Sequence, residues 1–179
     1  MRYFLFLFCL FSSSISMAQP AAWLLVDTDK KWVQVRQGGR IVAHFKRIAL
    51  GRNGAGYKQK VGDDITPLGN YKVSHKNKQS HFREFIGINY PSVEDAQRGL
   101  RSNYISKKEY TAIIDAHRQD KIPPQNTRLG GLIGIHGLGV GNNKVHRLFD
   151  WTHGCIAVSN TQIERLSKWV YIGMPVIIK

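Results

Sequence analysis

Period-two alternation of apolar and polar residues dominates the first half of the chain. Trp32-Val33-Gln34-Val35-Arg36 has the pattern of a half-buried strand, and Trp23-Leu24-Leu25-Val26 before it is a short β-prone run. Gln37-Gly38-Gly39-Arg40 supplies a tight turn into Ile41-Val42-Ala43-His44-Phe45, so a hairpin is expected. Ile48-Ala49-Leu50 stops at Gly51, and residues 51–64, rich in glycine and lysine, have no apolar period and read as a loop. Thr66-Pro67-Leu68-Gly69 has turn chemistry, and Tyr71-Lys72-Val73 and Phe85-Ile86-Gly87-Ile88 are further strands.

A helical period then interrupts the strands. Ser106-Lys107-Lys108-Glu109 is a capping box: the serine oxygen accepts from a free N-terminal amide, and the glutamate reaches back to the cap. Tyr110, Ile113, Ile114 and His117 follow at i, i+3, i+4 and i+7, predicting a helix from Ser106 to about Asp120 before Pro123-Pro124 forbids continuation. A second helix is expected from Thr161 to Tyr171, opened by Thr161-Gln162-Ile163-Glu164, with Ile163, Leu166 and Val170 inward and Gly173 as the stop. Leu132-Ile133-Gly134-Ile135-His136, Cys155-Ile156-Ala157-Val158 and Met174-Pro175-Val176-Ile177-Ile178 read as buried strands. The pattern is that of one mostly β (α+β) domain over residues 19–179 with short helices, without repeats.

Residues 1–18 change the picture of where the chain works. Arg2, an apolar run from Tyr3 to Phe11, and small residues at Ser16 and Ala18 form a secretion signal cleaved before Gln19. The run is too short to span a bilayer, so a soluble exported protein is expected, in the periplasm or cell wall. Cys9 leaves with the peptide, and losing Arg2 takes the formal charge from +14 to +13. Such a balance favours polyanions or anionic walls. Nucleic acid is set aside, because an exported chain meets little of it and the lysines are scattered, with no stripe on one helix face.

After cleavage one cysteine remains, Cys155, in Thr152-His153-Gly154-Cys155-Ile156-Ala157-Val158-Ser159-Asn160, with Ile135-His136-Gly137 upstream. A lone thiol in an exported protein asks for a chemical reason. If the two apolar segments are neighbouring strands, His136 and Cys155 meet at one end of the sheet. The imidazole would then lower the thiol pKa from about 8.5 by stabilising a thiolate ion pair. Amides around Gly154 could serve the oxyanion, since glycine has no Cβ in the way. His153 would point to the opposite side from Cys155 in an extended segment, making it the weaker base. The loop from Gly137 to Trp151, with Leu148, Phe149 and Trp151, has the composition of a lid whose aromatics pack on substrate or core. Other assignments stand beside this one. Cys155 could be an inert buried hydrophobe, or His136, His146, His153 and Cys155 could ligate zinc, although no standard spacing fits. Gly137-Leu138-Gly139-Val140-Gly141 lacks the helix and glycine pattern of a nucleotide loop, and His44, His75, His81 and His117 are assigned no role.

The Cys-centred motif resembles that of the L,D-transpeptidase catalytic domain, or YkuD domain, of bacterial cell-wall enzymes. Its signature is His-Gly, a loop, then Ser/Thr-His-Gly-Cys, a hydrophobic residue, Arg, another hydrophobic residue and, two on, Asn. The likeness extends to the opening hairpin, Thr66-Pro67-Leu68-Gly69-Asn70-Tyr71, Asn89-Tyr90-Pro91 and Gly173-Met174-Pro175-Val176. The resemblance implies a β-sandwich-like domain in which Cys155 is the nucleophile and His136 its base. Gly137 would orient the imidazole through its backbone, and the amides of His153, Gly154 and Cys155 would form the oxyanion hole. It implies attack on the bond between the L-centre of a stem-peptide diamino acid and D-alanine, with neither metal nor organic cofactor. The acceptor would be a second peptidoglycan stem, giving a 3→3 crosslink, a lysine of an outer-membrane lipoprotein, or water. Functions in cell-wall biogenesis and cell shape follow. Ala157 stands where the signature has arginine, which removes a bidentate carboxylate clamp and keeps a hydrolase in view. Arg147 is the expected substitute, with Thr152 and Trp151 as further substrate contacts. A murein-binding module that kept the fold and lost the chemistry is the non-enzymatic alternative.

Overall fold

The computed structural model describes residues 21–179; the expected leader lies outside the described residues. The alternating segments form β1 (Trp23–Asp27), β2 (Trp32–Gln37) and β3 (Arg40–Lys46), an antiparallel meander with the expected turn at Gly38-Gly39. Next come β4 (Ala55–Gly56) and β5 (Thr66–Pro67), paired parallel to each other, then β6 (Gly69–Asn77) and β7 (Phe85–Ile88). Helices α1 (Val93–Arg101) and α2 (Lys107–Arg118) follow, then β8 (Gly134–His136), α3 (Asn143–Leu148), β9 (Ile156–Ala157), α4 (Asn160–Ser167) and β10 (Pro175–Ile178).

One eight-stranded mixed sheet runs β3-β2-β1-β10-β6-β7-β8-β9. The last strand in sequence is inserted at its centre, parallel to β1 and antiparallel to β6. Leu24, Val26, Val33, Val35, Val73, Ile86, Ile88, Ile135, Ile156, Val176 and Ile178 join one continuous core, closed by Ile113 of α2 and by Ile163 and Leu166 of α4. Burial of apolar surface on this scale is the main force ordering the sheet.

The helix expected at 106–120 forms from Lys107, with Ser106 and Glu109 closing the capping box. Two helices were not legible as such. In α1, Ser92 caps and Asp95 returns the bond, and the buried Asp95 also accepts from Tyr71 Oη at 3.0 Å and pairs with Arg98. In α3, Asn142 accepts from the amides of Lys144 and Val145, so the presumed lid loop holds a short helix. The helix expected at 161–171 is shifted and shortened. Ser159 and Gln162 make its capping box, and Glu164, cast in that role, pairs with Arg83 instead. Lys76 Nζ donates to the carbonyls of Ser167 at 2.6 Å and Val170 at 2.9 Å, satisfying the helix end well before Gly173.

Candidate active site

The strands expected to adjoin do so: β8 and β9 pair in parallel, with Ile135 opposite Ile156 and His136 opposite Ala157. Each is shorter than its apolar run. Leu132 has φ +57 and lies outside β8, and Cys155 immediately precedes β9 in a turn. That turn is built by Thr152. Its buried hydroxyl donates to the Cys155 carbonyl at 2.7 Å and accepts from the Gly154 amide at 3.1 Å. Gly154 has φ +120, and a Cβ there would stand 2.7 Å from the Ile65 carbonyl oxygen, so glycine is required on both counts.

His136 and Cys155 line one cleft of about 590 Å³, together with Arg52, His75, Asn77, Ser80, Phe82, Phe85, Leu132, Trp151, Thr152 and His153. The His136 ring is buried against Phe82, with centroids 4.2 Å apart, and meets Trp151 edge-on at 5.8 Å. Nδ1 lies 2.6 Å from the Gly137 carbonyl oxygen. A carbonyl only accepts, so Nδ1 carries the proton and Nε2 is left with its lone pair. The Gly137 carbonyl thereby fixes one edge of the ring. A Cβ on Gly137 would meet Phe82 O, Asn160 Oδ1 and Ile163 Cγ2 at 2.6–2.8 Å. Asn160, to which the sequence attached no role, accepts from the amides of Leu138 and Gly139 and donates to the Gly139 carbonyl, clamping the segment that follows the histidine.

The electrostatics differ from the expected ion pair. Burial pushes the Cys155 thiol up to about 11, against the opposing pull of the Gly134 amide and the Lys58 ammonium. Its Sγ–H donates to the Leu132 carbonyl at 3.4 Å, not to the imidazole. Burial also lowers the pKa of His136 below 6.5, with the Gly137 carbonyl opposing and His146 adding to the fall. At neutral pH the resting pair is therefore a thiol and a neutral imidazole, because desolvation penalises both charged forms.

Several expected contacts are relocated. Arg147 does not line this cleft but a separate depression at the C-terminal end of α3. The arginine in the cleft is Arg52, 3.4 Å from Asp64. Ala157 is buried with Ala49, Leu138 and Trp151 and brings no charge to the cleft. Thr152 is buried and shapes the backbone of the turn. Among the described residues the amides of His153 and Cys155 have no acceptor, whereas that of Gly154, expected in the oxyanion hole, is taken by Thr152. The exposed His153 ring meets Asp64 Oδ1 through Nδ1 at 2.8 Å. His146 belongs to Arg147's depression, and among the described residues no three His, Cys, Asp or Glu side chains converge as metal ligands. Sequence reasoning missed Arg52, Asp64 and His75. Arg52 and Asp64 lie in the glycine-rich 51–64 loop, where periodicity is silent, and His75 carried no motif.

With this geometry in hand, comparison with known proteins places the chain. The family model of the L,D-transpeptidase catalytic domain, YkuD, matches residues 21–178. A search of curated proteins finds no match. Among solved structures, the helical cell shape determining protein Pgp2 from Campylobacter jejuni is 24% identical, with a TM-score of 0.59 over 89% of this chain and 47% of that one. Bd1075 of Bdellovibrio bacteriovorus is 21% identical, with a TM-score of 0.54 over 93% and 50%. An Enterococcus faecium L,D-transpeptidase is 13% identical, with a TM-score of 0.52 over 89% and 50%. The chain thus spans about half the length of these proteins, and the likeness is one of fold.

Proposed function

The chain belongs to the L,D-transpeptidase catalytic-domain (YkuD) family, and from that premise we propose that it transfers an acyl group of a peptidoglycan stem peptide through a thioester on Cys155. The observation that carries this reading is the meeting of His136 and Cys155 in one cleft, with the imidazole held by Gly137 so that Nε2 is free to accept a proton.

Sγ attacks the carbonyl carbon that joins the L-centre of the diamino acid to D-alanine, and Nε2 of His136 takes the thiol proton. With the thiol near 11 and the imidazole below 6.5, ionisation before attack is uphill, so the proton moves with the attack. The amides of His153 and Cys155 receive the developing oxyanion. As the carbon–nitrogen bond breaks, the imidazolium returns the proton to the leaving amine, and D-alanine departs. An acceptor amine then attacks the thioester, His136 takes its proton, the carbon–sulfur bond breaks and Cys155 is reprotonated. A second stem as acceptor gives a 3→3 crosslink, and a lipoprotein lysine gives an anchor. Water gives an L,D-carboxypeptidase, a second reading favoured by Ala157, which supplies no guanidinium from the strand after the nucleophile, while Arg52, the arginine of the cleft, is engaged by Asp64. Acting on exported wall material, either reaction would serve cell-wall remodelling and cell shape, the property named for the Campylobacter jejuni protein.

The test is incubation of residues 19–179 with defined disaccharide tetrapeptide and mass analysis of the products. Crosslinked dimers establish transpeptidation and a tripeptide alone establishes hydrolysis. An unchanged substrate overturns both and favours the binding module.

A further inference from the structure

A second depression, about 280 Å³, is lined by residues that immediately precede those walling the cleft. Residues 146–150 line it together with Lys31, Arg47 and Ile48, and residues 151–153 and 155 line the cleft. Its charges are unequally matched. Lys31 is satisfied by Asp150 at 2.6 Å, and the other Asp150 oxygen accepts from the Leu50 amide. The guanidinium groups of Arg47 and Arg147 have no acceptor among the described residues. His146, only 6% exposed, leaves Nδ1 without a close hydrogen bond, and its hydrogen-bonding neighbour is the Arg47 backbone. Leu148 and Phe149, each 63% exposed, add apolar walls.

Two unmatched guanidinium groups beside apolar side chains suit an organic anion with an aliphatic body. Free phosphate suits it less, since Asp150 repels a second negative charge and the apolar walls do nothing for it. A membrane surface suits it less again, because the site is concave. We propose that this depression is a second murein site, which binds the free carboxylate of a neighbouring stem peptide on Arg47 and Arg147 while the cleft holds the reacting stem. The inference rests on the peptidoglycan reading above. It places two stems along consecutive stretches of one short segment, with Asp150 lining one site and Trp151 walling the other.

The test is side-chain NMR of the mature chain titrated with a murein tripeptide ending in a free carboxylate. The same tripeptide as its amide, inorganic phosphate and anionic phospholipid vesicles are the comparison ligands. The tripeptide is expected to move the His146 and Arg147 signals and the amide to leave them in place. The pair Arg147→Glu and Arg47→Asn, asparagine being tolerant of positive φ, should weaken tripeptide binding by about tenfold or more. Acylation of Cys155 by a carbapenem, a small cleft ligand, should keep its rate in that variant. Equal shifts with the amide, saturation by phosphate at similar concentration, binding of vesicles instead, or shifts confined to His136 and Trp151 would each overturn the proposal. Loss of carbapenem labelling in the unmodified chain would sink the catalytic reading alone, since the His146 response is read independently.

Discussion

Burial pushes the Cys155 thiol up to about 11, so in the proposed mechanism it stays protonated until a carbonyl arrives. The free protein should therefore alkylate slowly with iodoacetamide at neutral pH, with a rate that climbs as pH rises towards about 11; a plateau already reached near pH 7 would mean a standing thiolate ion pair. Turnover should follow His136 at the other end. Its lowered pKa keeps the imidazole neutral above 6.5, so kcat/KM should stay flat there and fall only as pH drops through the folded value. Thr152 acts one step behind the chemistry. Thr152→Val removes two buried hydrogen bonds, which predicts a loss of about 1–3 kcal/mol in stability and a fall in kcat, whereas Thr152→Ser should restore most of both in thermal melts and turnover. Cys155 and His136 were legible as a pair because glycines and apolar runs frame them. Arg52 was not, since an arginine in an aperiodic loop looks like any other surface cation, and Arg147, the expected substitute for the signature arginine, lines a different depression from Cys155 because nearness in sequence does not fix which cavity a side chain enters.

At the scale of elements, the loop of residues 51–64 is ordered by one carboxylate. Asp63 pairs with the buried Lys58 and accepts from the amides of Gln59, Lys60 and Ile65. Burial alone would raise its pKa, but Lys58 and the three amides together lower it. A lowered carboxyl pKa stabilises the fold above the unfolded value of 3.8, and that contribution is lost as pH falls through the lower folded value. Asp63→Ala strands the Lys58 ammonium and should cost about 3–5 kcal/mol in denaturant unfolding. It should also loosen the neighbouring Asp64 and its contact with His153. The strands and the Ser106 helix were readable because period and capping box agree there. The fourth helix was misplaced because two overlapping boxes compete, and Ser159, extended at the end of the Cys155 segment, reaches its amide first. Its early end depends on Lys76, a partner 91 positions away that no local pattern reveals.

For the whole molecule, fold class was readable from patterning, but the strand order was not. Placing β10 between β1 and β6 satisfies pairing preferences that only the assembled sheet expresses. Net charge also acts at this scale. A surplus of 26 basic over 12 acidic residues predicts retention on isolated sacculi that weakens steeply with added salt; salt-independent retention would mean that contacts other than charge hold the protein on the wall. The most direct test of the central claim is the intact mass of the mature chain, quenched in acid during turnover of a disaccharide tetrapeptide. The account predicts an adduct of the substrate less D-alanine, mapped to Cys155 and absent in Cys155→Ala. Turnover by Cys155→Ala at the unmodified rate, or an acyl group on any other side chain, would contradict it.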